Sequence, residues 1–289
     1  MCKGTLFFLY LCNNMIKNCL SNCKINIGLR ILRRRSDGYH DIETIFYPIP
    51  LYDRISVSTL ENGAQVSADK LTVTGIPLSA TNDDNLVMRV VRMLREEGYS
   101  IPPLNITLHK NIPSGAGLGG GSSNAAFTMT LLNELFHLGL SEQEMEQFVG
   151  RLGADCAFFV HNKPAIAEGI GNIFTPTDID LKGYWIWLTK PSDFVSTKEA
   201  YQSVRPDETH RIHWPRNNSE IRWEELTNDF EASVFPNHPN VAALKSMMQD
   251  AGAFYAAMSG SGASVFGLFK EKPRTVALPE DIFSFVARL

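Results

Sequence analysis

A chain of 289 residues, 44% apolar and 20% charged, has the composition of an ordinary globular protein and the length for one large domain or two modest ones. Its formal net charge of −4 removes the electrostatic case for nucleic acid or an anionic membrane, so an anionic ligand needs locally placed positive charge. The cysteines (Cys2, Cys12, Cys19, Cys23, Cys156) are odd in number, four of them crowded near the start, which suits reduced thiols in a cytoplasmic protein better than a disulfide framework.

Residues 1–14 place Lys3 ahead of an apolar run at 6–12, imitating the start of a secretory signal. The run is short, no small-residue cleavage site follows, and it cannot span a membrane. This stretch is read as an atypical extension, with the functional chain beginning near Met15. Residues 23–32 read as a short buried strand carrying one cation, Lys24, and one amide, Asn26. A turn follows on Asp37-Gly38. The preceding Arg33, Arg34 and Arg35 read as a solvated corner or as ligands, whereas Tyr39 and His40 are placed to stack on and hydrogen-bond a planar ring. Residues 41–58 alternate as two strands interrupted at Pro48 and Pro50. Asn82, Asp83, Asp84 and Asn85 cap a helix running from Leu86 to about Glu97, with Val87, Val90, Val91 and Leu94 on one face.

Leu104, Ile106 and Leu108 alternate with polar residues as a half-buried strand. Lys110 then reads either as a charged loop residue or as one facing a ligand. Next comes Pro113-Ser-Gly-Ala-Gly-Leu-Gly-Gly-Gly-Ser-Ser-Asn-Ala-Ala126, five glycines in seven residues leading into a helix that ends near Leu138. Glycine lets the backbone approach a ligand closely, and a helix start offers unpaired N–H groups with partial positive charge. That combination is an anion site, most often for phosphate; the simpler alternative is a glycine turn capped by Ser122 or Ser123. A P-loop is excluded because no Lys-Ser or Lys-Thr follows the last glycine. Gly115, Gly117 and Gly120 spell a dinucleotide fingerprint, but the acid expected at the end of a second strand falls on Glu134 within the same helix. Protein-kinase signatures are absent.

Ser141 with an acidic first turn caps another helix, ending about Leu152. Asp155 then stands in a small apolar neighbourhood, as a helix cap or a tuned catalytic carboxylate. Glu168-Gly-Ile-Gly171 is a turn without an assignable role. From about Asp178 the composition shifts, with all four tryptophans beyond it, which marks a second lobe. A strand over 184–189 leads to Thr197 and Tyr201, readable as a helix start and a core tyrosine or as ligand contacts. Residues 205–228 are a polar excursion. Ser259, Gly260, Ser261 and Gly262 form a glycine turn between two strands, a second backbone nest.

Lys24 through His40, the loop at 113–126, Gly153-Ala154-Asp155 and the turn at 259–262 resemble, in order and spacing, the motifs of the GHMP small-molecule kinases. The Gly-Gly-Gly-Ser-Ser-Asn-Ala and Asp-Gly-Tyr-His forms are most similar to the diphosphocytidyl-methylerythritol kinases of the non-mevalonate isoprenoid pathway, which usually carry Ala where Cys23 stands. The resemblance spans the chain beyond about its first fifteen residues. It implies an α+β, two-lobed fold: a ribosomal protein S5 domain 2-like ATP-binding lobe over 15–170 and a ferredoxin-like substrate lobe over 171–289. It also implies ATP with Mg²⁺, and transfer to the 2-hydroxyl of 4-diphosphocytidyl-2-C-methyl-D-erythritol by a cytoplasmic monomer or homodimer without nucleic-acid or membrane partners.

Carried over by position, Asn85 and Leu86 would face adenine. Lys110, Pro113, Gly115, Gly117, Leu118, Gly119, Gly120, Gly121, Ser122, Ser123 and Asn124 would complete the ATP site. Asp155 would be the general base, with Lys24 keeping it ionised and orienting the alcohol, and Asn26 lying at the reacting hydroxyl. Tyr39 and His40 would hold cytosine, Thr197 would touch substrate, and Tyr201 would stack opposite Tyr39. Ser259, Gly260, Ser261 and Gly262 would pack beside the phosphate loop. The magnesium ligands stay unassigned. A homoserine- or mevalonate-type kinase would keep the loop without Asp-Gly-Tyr-His, and a dinucleotide-dependent oxidoreductase would need the missing acid.

Overall fold

The computed structural model describes residues 16–60, 68–78, 81, 84–209 and 212–289. The extension read over 1–14 and the cap residues Asn82 and Asp83 lie outside the described residues. The first lobe contains β1 (Ile16–Arg34), β2 (His40–Thr59), β3 (Lys70–Gly75), α1 (Leu86–Glu96), β4 (Leu104–Lys110), α2 (Gly120–Leu135), α3 (Glu142–Gly150), α4 (Phe158–His161), β5 (Ala165–Glu168) and β6 (Ile173–Pro176). The second contains β7 (Trp185–Lys190), α5 (Thr197–Gln202), α6 (Phe230–Val234), α7 (Pro239–Asp250), β8 (Tyr255–Met258), β9 (Val265–Phe269) and β10 (Phe283–Arg288).

Two long antiparallel strands carry the first sheet. In β1, Cys23, Ile25 and Ile27 are buried on one face, and Lys24 and Asn26 are buried on the other. Both faces are covered, so the polar pair is enclosed rather than solvated. The break expected at Pro48 and Pro50 does not occur: β2 runs unbroken for 20 residues. Asn22 pairs with Tyr52 and Cys23 with Ile49, so Pro50 and Leu51 form a bulge. On the opposite edge β5 pairs 44–46 and β4 pairs 54–59, which leaves the prolines between them where no ladder donor is required.

Helix α1 starts where the Asn85 side chain accepts from the Val87 amide at 3.0 Å. Its Val87, Val90, Val91 and Leu94 are fully buried against β4 and α2. Valine is a poor helix former, so burial, at about 1.5–3 kcal/mol per side chain, holds this helix rather than propensity. α3 carries the full capping box of Ser141 and Glu144.

The second sheet has the order β10-β7-β9-β8, every pair antiparallel. Numbered within the lobe this is 4-1-3-2, the ferredoxin-like arrangement, with α7 packed on β8 and β9. The first sheet continues through β6, past the division expected at 170, because β5 and β6 form a hairpin. We place the boundary after Pro176. The lobes share a core in which Ile25, Ile27 and Tyr47 meet Ile186, Leu188 and Phe266. The excursion at 205–228 leads into a brace on the first sheet: Thr227 and Asp229 bracket Leu29 of β1 with backbone hydrogen bonds of 2.8 and 2.9 Å.

Candidate active site

The glycine loop joins β4 to α2. Gly115, Gly117 and Gly119 all have positive φ, at 58°, 72° and 67°, a backbone that side chains rarely adopt. At Gly117 the space is also closed, since a β-carbon would lie 1.9 Å from the Ser259 carbonyl oxygen. The loop rests on a buried network that the sequence did not disclose. Fully buried Asp53 pairs with Lys110, accepts from Asn124 at 2.9 Å, and takes the backbone amides of Asn111 and Ile112 at 2.8 and 2.9 Å. Lys110 also donates to Asn124 at 2.9 Å. Lys110 and Asn124 thus hold the loop from beneath through Asp53, and both also line the smaller of the clefts that meet there. Ser123 is fully buried behind it, its amide bonded to Gly119.

Two clefts meet at this loop. The smaller, of about 340 Å³, is lined by Asn85, Leu86, Lys110, Pro113, Leu118, Gly120, Gly121, Ser122 and Asn124. The larger, of about 1010 Å³, contains Lys24, Asn26, Tyr39, His40, Asp155, Thr197 and Tyr201, with Gly260, Ser261 and Gly262. Gly115, Gly117 and Gly119 line both, so the bare glycine backbone is the wall between them.

Beside that wall lie Lys24 and Asp155, their charged atoms 3.5 Å apart. Lys24 is 3% exposed. It donates to Asn26 Oδ1 at 2.5 Å and to the Gly117 carbonyl at 3.1 Å, and sits 4.6 Å from the Phe46 ring centroid. Burial pushes its pKa down, and the Asp155 charge partly opposes this. Asp155 projects from a tight turn over Ala154–Cys156 and remains open to the cleft. Asn26 is fixed in turn by Thr44 at 3.1 Å. Ser259 accepts from the Asn26 amide at 3.2 Å and donates to the Gly117 carbonyl at 2.9 Å, so the third motif ties β1 to the glycine loop. Asn228, unread in the sequence, donates to the Met258 and Gly260 carbonyls at 2.7 and 2.9 Å and shapes that motif.

At the far end of the larger cleft, Arg33 and Arg35 pair with Asp37 and Asp41, the solvated corner. Tyr39 is 61% exposed. His40 stacks on Tyr201, centroids 4.5 Å apart and planes 18° from parallel; burial and Arg34 hold its pKa low. Tyr201 meets Phe230 edge-on at 4.7 Å. His40 thus covers one face of Tyr201, since two aromatic faces shed water by stacking. Thr197 Oγ1 lies 3.3 Å from Ser261 Oγ. Among the described residues, no group of three His, Cys, Asp or Glu converges as a metal site.

Family models for the GHMP kinases N terminal domain and the GHMP kinases C terminal match residues 85–163 and 208–279. The chain belongs to the GHMP kinase family. This GHMP kinase is 46% identical over 277 residues to 4-diphosphocytidyl-2-C-methyl-D-erythritol kinase of Bacteroides fragilis, covering 93% of this chain and 98% of the relative. It is 48% identical over 259 residues to the protein of that name from Parabacteroides distasonis, covering 88% and 92%. A solved 4-(cytidine 5'-diphospho)-2C-methyl-D-erythritol kinase superposes with a TM-score of 0.72 at 30% identity, covering 87% of this chain and 90% of that one. Homoserine kinase from Cytophaga hutchinsonii shares the fold at TM-score 0.61 and 15% identity, covering 98% and 96%.

Proposed function

We propose that this kinase transfers the γ-phosphoryl group of ATP to the 2-hydroxyl of 4-diphosphocytidyl-2-C-methyl-D-erythritol, in cytoplasmic isoprenoid precursor synthesis. The observation that carries the reading is the Lys24–Asp155 pair at the wall where the two clefts meet. The nucleotide enters the smaller cleft, its base against Asn85 and Leu86 and its phosphates over the backbone amides of the glycine loop at the start of α2. The acceptor occupies the larger cleft, with its cytosine at Tyr39, His40 and Tyr201.

Asp155 takes the proton of the acceptor hydroxyl as its oxygen bonds to the γ-phosphorus and the bond to the bridging oxygen of ADP breaks. Lys24, too enclosed for water to screen it, places positive charge beside the alcohol and the transferring group. Asn26, held by Thr44 and Ser259, fixes the Lys24 ammonium. Among the described residues no three His, Cys, Asp or Glu converge on a metal position, and Mg²⁺ bound with the triphosphate would offset its charge. No helix among the described residues is long and apolar enough to cross a membrane.

A coupled assay of ADP release, with and without the cytidyl acceptor, tests the reading. ADP release should require the acceptor and yield phosphorylated product, while homoserine and mevalonate in its place should give no more than background. Equal turnover with homoserine or mevalonate would overturn the assignment.

A further inference from the structure

One side chain of the cleft belongs to no sequence motif. Phe194 is 67% exposed, yet the segment around it is anchored from several sides. Lys190 donates to the Pro191 and Asp193 carbonyls at 2.7 and 3.2 Å. Ser192 donates to Asp281 at 2.9 Å, and Asp193 accepts from Asn240 at 3.2 Å. Val195 is buried, and Ser196 caps α5. The segment is thus held firmly and presents one large apolar side chain as part of the lining of the larger cleft.

The ring points across the cleft to the other lobe. A β-carbon at Gly115 would lie 2.9 Å from Phe194 Cε2, so the ring edge fits against Gly115 only because that residue lacks a side chain. Gly115 is one of the three residues lining both clefts, which puts the aromatic edge over their junction.

Resting on the kinase reading above, we infer that Phe194 is a positioning residue that covers the nucleotide phosphates at this junction and keeps water from the transferring group. Without the cover, water competes with the acceptor: its oxygen bonds to the γ-phosphorus, the bond to ADP breaks, its proton passes to solvent, and the products are ADP and inorganic phosphate.

The test compares Phe194→Ala, Phe194→Tyr and wild type by calorimetry with β,γ-imido-ATP and by the ratio of ADP released to acceptor phosphorylated. Opening the junction to water should weaken the hydrogen bonds between the phosphates and the loop amides, and with them β,γ-imido-ATP binding, about five- to tenfold, while adenosine binding stays unchanged. The ratio should rise from about one to above about two, and Phe194→Tyr should restore both readouts. Binding within about twofold of wild type, or a ratio that stays near one, overturns the inference. The ring is exposed, so the melting temperature should hold; were the Ala variant to unfold, Phe194→Leu carries the same readouts. If wild type fails to phosphorylate the cytidyl acceptor, the functional reading falls while the binding arm still decides Phe194.

Discussion

Lys24 and Asp155 are 131 positions apart in sequence and 3.5 Å apart in space. Their unequal exposure divides the work: the lysine is sealed in and the aspartate meets the cleft. Asp155→Asn keeps the shape and removes the base, so kcat should fall by about 10²–10⁴ while ATP affinity stays within about twofold. An unchanged kcat would take Asp155 out of the mechanism. The lysine has its own signature in pH. Its pKa is lowered by burial, so it loses its proton at lower pH than an ordinary lysine, whose value is about 10.4. The charged form is the useful one. Activity should therefore be full on the acid side of that transition and decline as pH rises through it, before about pH 10.4. A kcat profile flat to that pH would sink the role given to the Lys24 charge.

The glycine loop as an element depends on what lies beneath it. Removing Asp53 as Asp53→Ala leaves the Lys110 ammonium buried without its counter-charge and strips the Asn111 and Ile112 amides of an acceptor. Breaking a buried pair from one side costs about 3–5 kcal/mol. At about 2–4 °C per kcal/mol, the melting temperature should drop by on the order of 10 °C; a shift under about 2 °C would mean the network is not holding the loop. This element also marks where sequence reading stops. The loop, the Asn85 cap and the Ser141–Glu144 box were legible because their logic is local, a few residues of glycine spacing or side-chain-to-amide geometry. Asp53 was not, since its partners lie 57 and 71 residues away. Nor was the continuity of β2 through two prolines, which only the bulge opposite Asn22 and Cys23 explains. Lys110 and Asn124, read beside the motif as ligand contacts, do line the smaller cleft, but their bonds to Asp53 beneath the loop could not be read from the sequence.

The molecule works only if its lobes dock in register, and that register is set where Gly117 passes the Ser259 carbonyl. Lys24 and Ser259 both donate to the Gly117 carbonyl, so a shift here moves the cation, the phosphate loop and the third motif together. Gly117→Ala faces two penalties: a left-handed backbone and a β-carbon 1.9 Å from a main-chain oxygen that cannot swing aside. Gly139→Ala separates them. Gly139 has φ of 74° with open space around it, so it bears the backbone strain alone, about 1–2 kcal/mol. It should lose a few degrees of melting temperature and keep its kcat. Gly117→Ala should lose more stability and, because a displacement of about 1 Å at a reacting centre costs about 10²-fold, also fall by at least that factor in kcat. If the two variants were equally active, the Gly117–Ser259 contact would be a packing detail, and the lobes would find their register through the shared apolar core.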